Sequence, residues 1–460
     1  MATGFRPEVT VPTPPPEGPG AILDLDVDAL ATGGEGVARD ATGRVVFLPR
    51  TAPGDRVRAR VISSRKRWAR AEVVELLKAG RGRRAAPCPV YELCGGCSLQ
   101  HLDIRTQRDE KRRIVKETLR RIGRVDVELP EVAHAGPEFE YRNRIALTLR
   151  RAEEGACLGF RSRFDPGEVV DVDDCLIAEP AVRRGLADLR SFWGDDASNL
   201  PEGEELKVTI RSAADGAVAV HVEGGVQGRV GRPDVLAASV AGLVSYVHTD
   251  TEGNRTVLAG SGTFQDRWQG TRFDLGPGTF LQVNRAVSTA MDRQLDAFVG
   301  PRRGRHFADL YAGIGARALR WAREGARVNA VESDQEAVAA GRAAAVAEGL
   351  DVEFFGAPVE SVPESYRDAE IIVMNPPRAG LSEQVCRRVA ASTAARGLVY
   401  VSCDPATLAR DLARLSTGWT PVSVRVFDAF PQTAHVETMI WLEPANRSQD
   451  RTERPSTEHA

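Results

Sequence analysis

From Ala21 to about Lys78 the chain alternates apolar and polar positions in short runs, the period of strands with one buried face. The runs are Ile22-Leu23-Asp24-Leu25-Asp26-Val27, Gly33 to Ala38, Arg44 to Pro49, Arg56 to Val61 and Ala69 to Leu77, with Pro53-Gly54-Asp55 as a turn. Five short strands in so little chain predict a small β-barrel of the OB kind. Asp103 to Ile122 then carries Ile104, Ile114, Val115, Leu119 and Ile122 at helical spacing, with basic residues on its other faces, and stops at Gly123. Between about Phe139 and Phe273 alternation returns, in Arg144 to Leu149, Leu206 to Ile210, Ala217 to Val222 and Val244 to Thr249. One helical stretch, Ala181 to Trp193, interrupts it, and the pattern predicts a mainly antiparallel α/β domain. Beyond about Asn284 buried strands alternate with helices, the texture of a doubly wound sheet. Residues 1 to 19 are rich in Pro and Gly, and 446 to 460 are polar; both are expected to be disordered tails.

Composition narrows the class. At 460 residues the chain exceeds one core. It has 42% hydrophobic and 27% charged residues and no apolar run of about 18, which excludes a helical membrane span. The Pro-rich start lacks the order of a signal peptide, so a cytoplasmic location is expected. Seven cysteines, three of them within ten residues, suit a reducing compartment in which thiols serve metals or catalysis. The net charge of −3 conceals a basic segment: Arg50 to Arg84 holds 12 Lys and Arg against 3 Asp and Glu, an excess of 9. Such a stretch fits a polyanion partner as well as it fits a solvated face.

The sequence Cys88-Pro-Val-Tyr-Glu-Leu-Cys94-Gly-Gly-Cys97 spaces three sulfurs along a glycine-bent loop, and Cys175 is available as a fourth. Four thiolates hold zinc or an iron-sulfur cluster, and residue type alone does not choose. Cys157 and Cys386 sit in apolar or helical surroundings that suit packing.

In the C-terminal half, Arg305 to Gly315 reads as a strand ending in the turn Tyr311-Ala312-Gly313-Ile314-Gly315, and Ala326 to Glu332 as a second strand ending in a carboxylate. Glycines there let the backbone approach a nucleotide, and a carboxylate in Glu332's place can accept both ribose hydroxyls. Asp309, with no third glycine at dinucleotide spacing, favours S-adenosylmethionine over a nicotinamide dinucleotide. A third strand ends in Asn375-Pro376-Pro377-Arg378-Ala379-Gly380, where a ligand lies in open α/β sheets. The apolar run Gly397 to Val401 gives way to Ser402-Cys403-Asp404-Pro405, and a lone thiol at such a junction can act as a nucleophile. Glu437, at the start of the last strand, becomes a credible general base beside it. Arg65, Lys66, Arg67, Trp68 and Arg70 in the barrel, and Tyr141-Arg142-Asn143-Arg144, can touch phosphate, though a core tryptophan and a charged strand edge read equally well.

The stretches Gly-Glu-Gly-Val-Ala, Val-Val-Phe-Leu-Pro and Ala-Pro-Gly-Asp-Arg-Val closely resemble a TRAM domain, an RNA-binding OB-like barrel. Phe280-Leu281-Gln282-Val283-Asn284, the Asp309 to Gly315 turn, Asn-Pro-Pro-Arg-Ala-Gly, Val-Ser-Cys-Asp-Pro-Ala-Thr-Leu-Ala-Arg-Asp-Leu and Phe-Pro-Gln-Thr-Ala-His-Val-Glu-Thr resemble the RNA uracil-5-methyltransferase family over residues 20 to 445. The resemblance implies a multidomain α/β protein: a TRAM-like OB barrel at 20–80, a central RNA-binding domain with an iron-sulfur loop at 81–279, and a Rossmann-like class I methyltransferase domain at 280–445. It implies Cys403 as nucleophile, Glu437 as base, and Gln282, Tyr311, Gly313, Gly315, Glu332 and Asn375 around S-adenosylmethionine. It implies a 4Fe-4S cluster on Cys88, Cys94, Cys97 and Cys175. The expected product is 5-methyluridine in a loop or single strand of RNA, ribosomal RNA before transfer RNA, made by a monomer. Three positions depart from the family pattern: Asn375 stands where Asp is usual, Asp404 where Asn is usual, and Ala316 where a polar residue is common. A non-catalytic RNA-binding factor on the same fold is the reading from another class; a radical methylthiotransferase is excluded by its different cysteine spacing and barrel.

Overall fold

The computed structural model describes residues 18–152, 155–226 and 233–445. Most of the two expected tails, residues 1–19 and 446–460, therefore lies outside the described residues. The chain divides into two compact units, Met1–Pro87 with Ser98–Glu110, and Cys88–Cys97 with Lys111–Ala460.

In the first unit five strands, β1 (Ile22–Leu30), β2 (Gly36–Arg39), β3 (Val45–Leu48), β4 (Arg56–Ser64) and β5 (Trp68–Lys78), close into a barrel in the order β1-β2-β3-β5-β4. Alternation decides the interior: Leu25, Val27, Val46, Leu48, Val57, Ala59 and Val61 are buried, and the arginines of β4 face outward. Buried Asp55 anchors the turn after β3, accepting from Ala52 N (2.7 Å), Gly80 N (2.8 Å) and Arg83 Nη2 (2.7 Å). The predicted basic helix is α1 (Ile104–Thr118), which continues through a π-helical turn, Leu119–Gly123, to Arg124 in the left-handed region.

In the second unit β6 (Arg144–Ala152), β7 (Gly155–Arg161), β8 (Val169–Asp171), β9 (Glu205–Ser212), β10 (Val218–Glu223), β11 (Leu243–Thr249) and β12 (Arg255–Gly260) form a sheet ordered β12-β11-β10-β9-β6-β7-β8. Its pairings are antiparallel except β10 with β11, which the helix α3 (Pro233–Ser239) separates in sequence. The predicted helix at Ala181 to Trp193 is α2 (Pro180–Trp193), whose Val182, Leu186, Leu189 and Trp193 pack with Val208, Ile210 and Val220. A hairpin that the alternation did not single out, β13 (Phe264–Trp268) with β14 (Thr271–Leu275), follows.

The remaining chain is α4 (Arg285–Val299), β15 (His306–Leu310), α5 (Ala316–Arg323), β16 (Arg327–Glu332), α6 (Gln335–Glu348), β17 (Val352–Gly356), α7 (Glu364–Arg367), β18 (Ile371–Met374), α8 (Glu383–Ala390), β19 (Gly397–Ser402), α9 (Pro405–Leu415), β20 (Trp419–Phe427) and β21 (Glu437–Pro444). The sheet order is β17-β16-β15-β18-β19-β21-β20, parallel from β17 to β19, with β21 antiparallel to β19. β18 and β19 are buried throughout, which is why their sequences read as unbroken apolar runs. The strand order reverses between β15 and β18, the place where open α/β sheets bind ligands beyond the carboxyl ends of their strands.

Candidate active site

Four adjacent strands, β16, β15, β18 and β19, end side by side, and each delivers a residue expected from the sequence. After β15, Tyr311 (φ +62°), Gly313 (φ +58°) and Gly315 (φ +70°) all occupy the left-handed region, and Ala312 N donates to Val331 O at 3.0 Å. A left-handed tyrosine costs of order 1 kcal/mol and persists where its surroundings dictate it, commonly at a functional turn. A Cβ on Gly315 would lie 2.5 Å from Phe354 Cε1, so only glycine lets α5 begin against β17.

Glu332, closing β16, is already engaged. Its Oε2 accepts Gly313 N at 2.9 Å, and its Oε1 accepts Ser333 N at 2.7 Å and Asp334 N at 2.9 Å. The carboxylate thus ties the two loops together, and Oε2 keeps a lone pair for a hydroxyl. Asn375 follows β18 with its backbone N on Leu310 O at 3.3 Å. Gln282 precedes α4; its carbonyl accepts Asn143 Nδ2 at 2.9 Å, and Asn284 caps α4 by accepting Val287 N at 3.1 Å.

Cys403 and Glu437 meet through strand register. Ser402 on β19 pairs with Thr438 on β21, so the next pair outward sets Cys403 opposite Glu437. Glu437 is 4% exposed, and burial pushes its carboxyl up to about 8 despite the Arg378 guanidinium. Burial, then the Glu437 charge, raises the Cys403 thiol; Arg378 opposes this, and Asp404 adds a smaller rise. Asp404 has a structural task as well: its Oδ1 accepts Thr407 N at 2.7 Å as the N-cap of α9.

The loop leading into β21 is held by residues for which periodicity gives no signal. Lys111 Nζ bonds Asp428 Oδ1 at 2.6 Å and Phe430 O at 3.1 Å, with both charged side chains fully buried. Tyr141 Oη donates to Pro431 O at 3.0 Å, and Asn284 Nδ2 to Ala429 O at 3.2 Å. His435, edge-on to Phe430, is pushed down to about 4 by burial and by Arg378, Arg142 and Lys111. Arg378 was legible only as a member of its Asn-Pro-Pro-Arg motif.

The four expected metal ligands divide. Cys94 and Cys175 are buried and Cys97 packs against the same core as Cys175, with Cys88 half-buried on the loop. Burial pushes the Cys175 thiol up to about 12, with Cys97 and then Cys94 contributing, so both of those sulfurs lie within electrostatic reach of Cys175. Gly96 N donates to Cys94 Sγ at 3.3 Å. Among the described residues, however, no group of three or more His, Cys, Asp or Glu side chains is arranged to hold a metal ion.

A small β-barrel, and a doubly wound sheet whose switch point carries a glycine turn and a strand-end carboxylate, fit an RNA-modifying methyltransferase. Comparison with known proteins agrees: residues 16–74 match the TRAM domain, 288–396 the methyltransferase small domain, and 360–445 the tRNA (uracil-5-)-methyltransferase family. A 23S rRNA (uracil(1939)-C(5))-methyltransferase of Chromohalobacter salexigens is 36% identical over 91% of this chain and 88% of its own. An RNA methyltransferase of Thermosynechococcus vestitus is 32% identical over 92% of this chain and 98% of its own. The crystal structure of Pyrococcus abyssi tRNA (uracil-54, C5)-methyltransferase with S-adenosyl-L-homocysteine, at 24% identity, superposes with a TM-score of 0.71 over 91% of this chain and 100% of that one, which shows the shared fold. The chain belongs to the RNA uracil-C5-methyltransferase family.

Proposed function

We propose that this protein methylates C5 of a uridine in 23S ribosomal RNA with S-adenosylmethionine as donor, and that Cys403 and Glu437 carry the chemistry. The observation that supports it most directly is the β19–β21 register, whose last pair, Ser402 with Thr438, has the Cys403 thiol and the buried Glu437 carboxyl as its next residues outward. The 23S assignment rests on the name of the Chromohalobacter relative.

Uracil C5 is too weakly nucleophilic to take a methyl group unaided. The Cys403 thiolate, its proton released to solvent, adds to C6 and turns C5 into an enolate carbon, dividing one difficult step into easier ones. S-adenosylmethionine, when bound, would supply an electrophilic methyl group to that carbon, the sulfonium–methyl bond breaking to leave S-adenosylhomocysteine. Glu437 then removes the C5 proton; the C5–C6 double bond re-forms as the sulfur–C6 bond breaks, and the thiolate is regenerated. Gln282, Tyr311, Gly313, Gly315, Glu332 and Asn375 would hold the donor: the side-chain-free Gly313 and Gly315 let it approach the backbone, and Glu332 Oε2 keeps acceptor capacity for a hydroxyl. The target base must leave its stack to reach Cys403, which suits a loop or single-stranded uridine. Residues 20–80 and 81–279 would grip the RNA.

Cys88, Cys94, Cys97 and Cys175 would hold a 4Fe-4S cluster. The donor set fits in kind, because the Cys97 and Cys94 charges both reach the Cys175 thiol, Cys97 and Cys175 share one core, and the Gly96 amide meets a sulfur, as amides commonly do at such clusters. The cluster would fix the Cys88–Cys97 loop to the segment bearing Cys175. Protein purified without oxygen should contain iron and a broad visible absorbance that Cys175→Ser removes; iron-free protein refutes the cluster.

The decisive experiment incubates the protein with labelled S-adenosylmethionine and unmodified ribosomal or transfer RNA, and maps 5-methyluridine by mass spectrometry. Methylation of one 23S uridine, absent in Cys403→Ala, is expected. Label on transfer RNA alone overturns the substrate, and label on neither overturns the activity.

A further inference from the structure

The segment between β14 and α4 carries Gln282, yet residues 276–283 form neither helix nor strand. Main chain without a ladder of its own keeps one shape only where other groups take up its carbonyls. Building on the donor-site reading above, we propose that Arg211 is a positioning residue for the reaction, whose buried guanidinium fixes the carbonyls of Pro277 and Thr279 and so holds Gln282 where S-adenosylmethionine is received.

Arg211 lies on β9 opposite Arg144 of β6 and is 1% exposed. Its Nη1 donates to Thr279 O at 2.6 Å and to Pro277 O at 3.3 Å, and its Cζ lies 5.0 Å from the Phe264 ring centroid on β13. Asn143, the residue before Arg144, takes the next two carbonyls: its Nδ2 donates to Gln282 O at 2.9 Å and its N to Val283 O at 3.0 Å. Ser212 N in turn donates to Asn143 O at 2.9 Å, which joins the two supports. Two neighbouring residues of one sheet therefore hold the segment from Pro277 to Val283, while Phe280 between them stays 62% exposed. The support is itself anchored. Arg285, opening α4, donates from Nη2 to Ser212 O at 2.7 Å and to Asp266 Oδ2 at 2.9 Å, and Asp266 Oδ1 accepts Ala214 N at 3.0 Å.

A buried arginine that serves packing alone is ordinarily neutralised by a carboxylate. Arg211 makes no ion pair with the described residues, its Nη2 has no partner among them, and it faces the like charge of Arg144. Burial, then Arg144, disfavours its charge, and Asp266 only partly compensates. Val208 and Ile210 on the same strand show that β9 accepts apolar side chains, so the fold does not require a cation here. What Arg211 adds is two fixed carbonyls, set by hydrogens held in one rigid plane that lysine lacks. Rigid support of that kind matters where a ligand must be placed to a fraction of an ångström.

The test measures S-adenosylhomocysteine affinity by calorimetry in full-length wild type, Arg211→Met, Gln282→Ala and the double variant. Arg211→Met keeps an apolar stem and removes the donors, and affinity should fall about tenfold. Because Arg211 acts through the segment, the losses should not multiply: within Gln282→Ala the further change should be less than about twofold. Arg211→Lys, which keeps the charge without the planar fork, should recover part of the affinity. Amide hydrogen exchange in residues 276–284 should quicken by about tenfold in Arg211→Met. Iodoacetamide alkylation of Cys403 against pH, read on the Cys403 peptide by mass spectrometry, should keep its midpoint. Affinity within about twofold of wild type, losses that multiply, or a moved midpoint refutes the proposal and leaves Arg211 as a packing residue. Should Arg211→Met not fold, Arg211→Lys decides by the same comparison, with a loss of about threefold expected and no loss refuting. Gln282→Ala that binds as wild type refutes the donor-site reading of Gln282 instead, and the positioning role with it.

Discussion

Replacing Glu437 with glutamine should stabilise the protein in alkali while it stops turnover. Burial holds the Glu437 carboxyl at about 8, against an ordinary value of 4.5. An unfolded chain releases that proton above 4.5 whereas the folded one keeps it until about 8, so the unfolded state binds fewer protons in between. Stability therefore falls as pH rises through this window and levels off above it. At about 1.4 kcal/mol per unit, the stretch from pH 6 to pH 8 costs roughly 2.5–3 kcal/mol, and the full window about 5 kcal/mol. Glutamine has the same shape and does not titrate. Urea unfolding of wild type and Glu437→Gln at pH 6 and pH 9 should show the variant gaining about 3 kcal/mol on the wild type between the two. In the same variant the C5 proton has no acceptor, so the Cys403–RNA adduct should accumulate after methyl transfer while 5-methyluridine release falls by about 100-fold or more. A stability difference that does not change with pH would refute the burial argument. Undiminished product release would refute Glu437 as the base.

Wild-type 5-methyluridine release should itself rise about tenfold per unit below pH 8 and flatten above it, because Glu437 must be ionised to act; a flat profile from pH 6 to 9 contradicts this. Lys111→Met strands the buried Asp428 carboxylate and should cost about 3–5 kcal/mol by urea unfolding, whereas the double replacement Lys111→Met with Asp428→Leu should recover much of it. Asp404→Asn keeps the α9 cap, so stability should stay within about 0.5 kcal/mol, while loss of its charge lowers the Cys403 alkylation midpoint by less than Glu437→Gln does. Gly315→Ala forces a Cβ into Phe354 at a left-handed position and should cost about 2–4 kcal/mol, with S-adenosylhomocysteine affinity, followed by calorimetry, falling at least tenfold.

The fold was legible wherever a local period carried it. Alternation marked the five barrel strands, and the unbroken apolar runs at Ile371–Met374 and Gly397–Ser402 marked strands buried on both faces. It failed where context outranked pattern. The helix from Ile104 passes into a π-helical turn at Leu119, where Gly123 meets the backbone and side chain of Ala409 on α9, a contact between distant segments. The site was legible in part. Glycine and carboxylate spacing located the donor turn, yet the expected two free oxygens of Glu332 are shared with Gly313, Ser333 and Asp334 amides. Asp404, which the sequence marked only as a departure from the family pattern, raises the Cys403 thiol slightly and also caps α9 through the Thr407 amide.

The sequence by itself determined which residues could react: a thiol after one buried strand, a carboxylate at the head of another, and a glycine turn between strand and helix, because residue type and short-range period are written directly in the chain. Tertiary structure decided what those residues are. The antiparallel register of β19 and β21 brings Cys403 and Glu437 face to face across 34 positions of sequence, and burial then keeps a proton on the carboxyl to about pH 8. A clamp through Asp411 ties the turn after β18 to α9 and to β19. Protonation state and counter-charge depend on what surrounds a group in three dimensions, and that neighbourhood is assembled by long-range pairing and packing that no local pattern encodes.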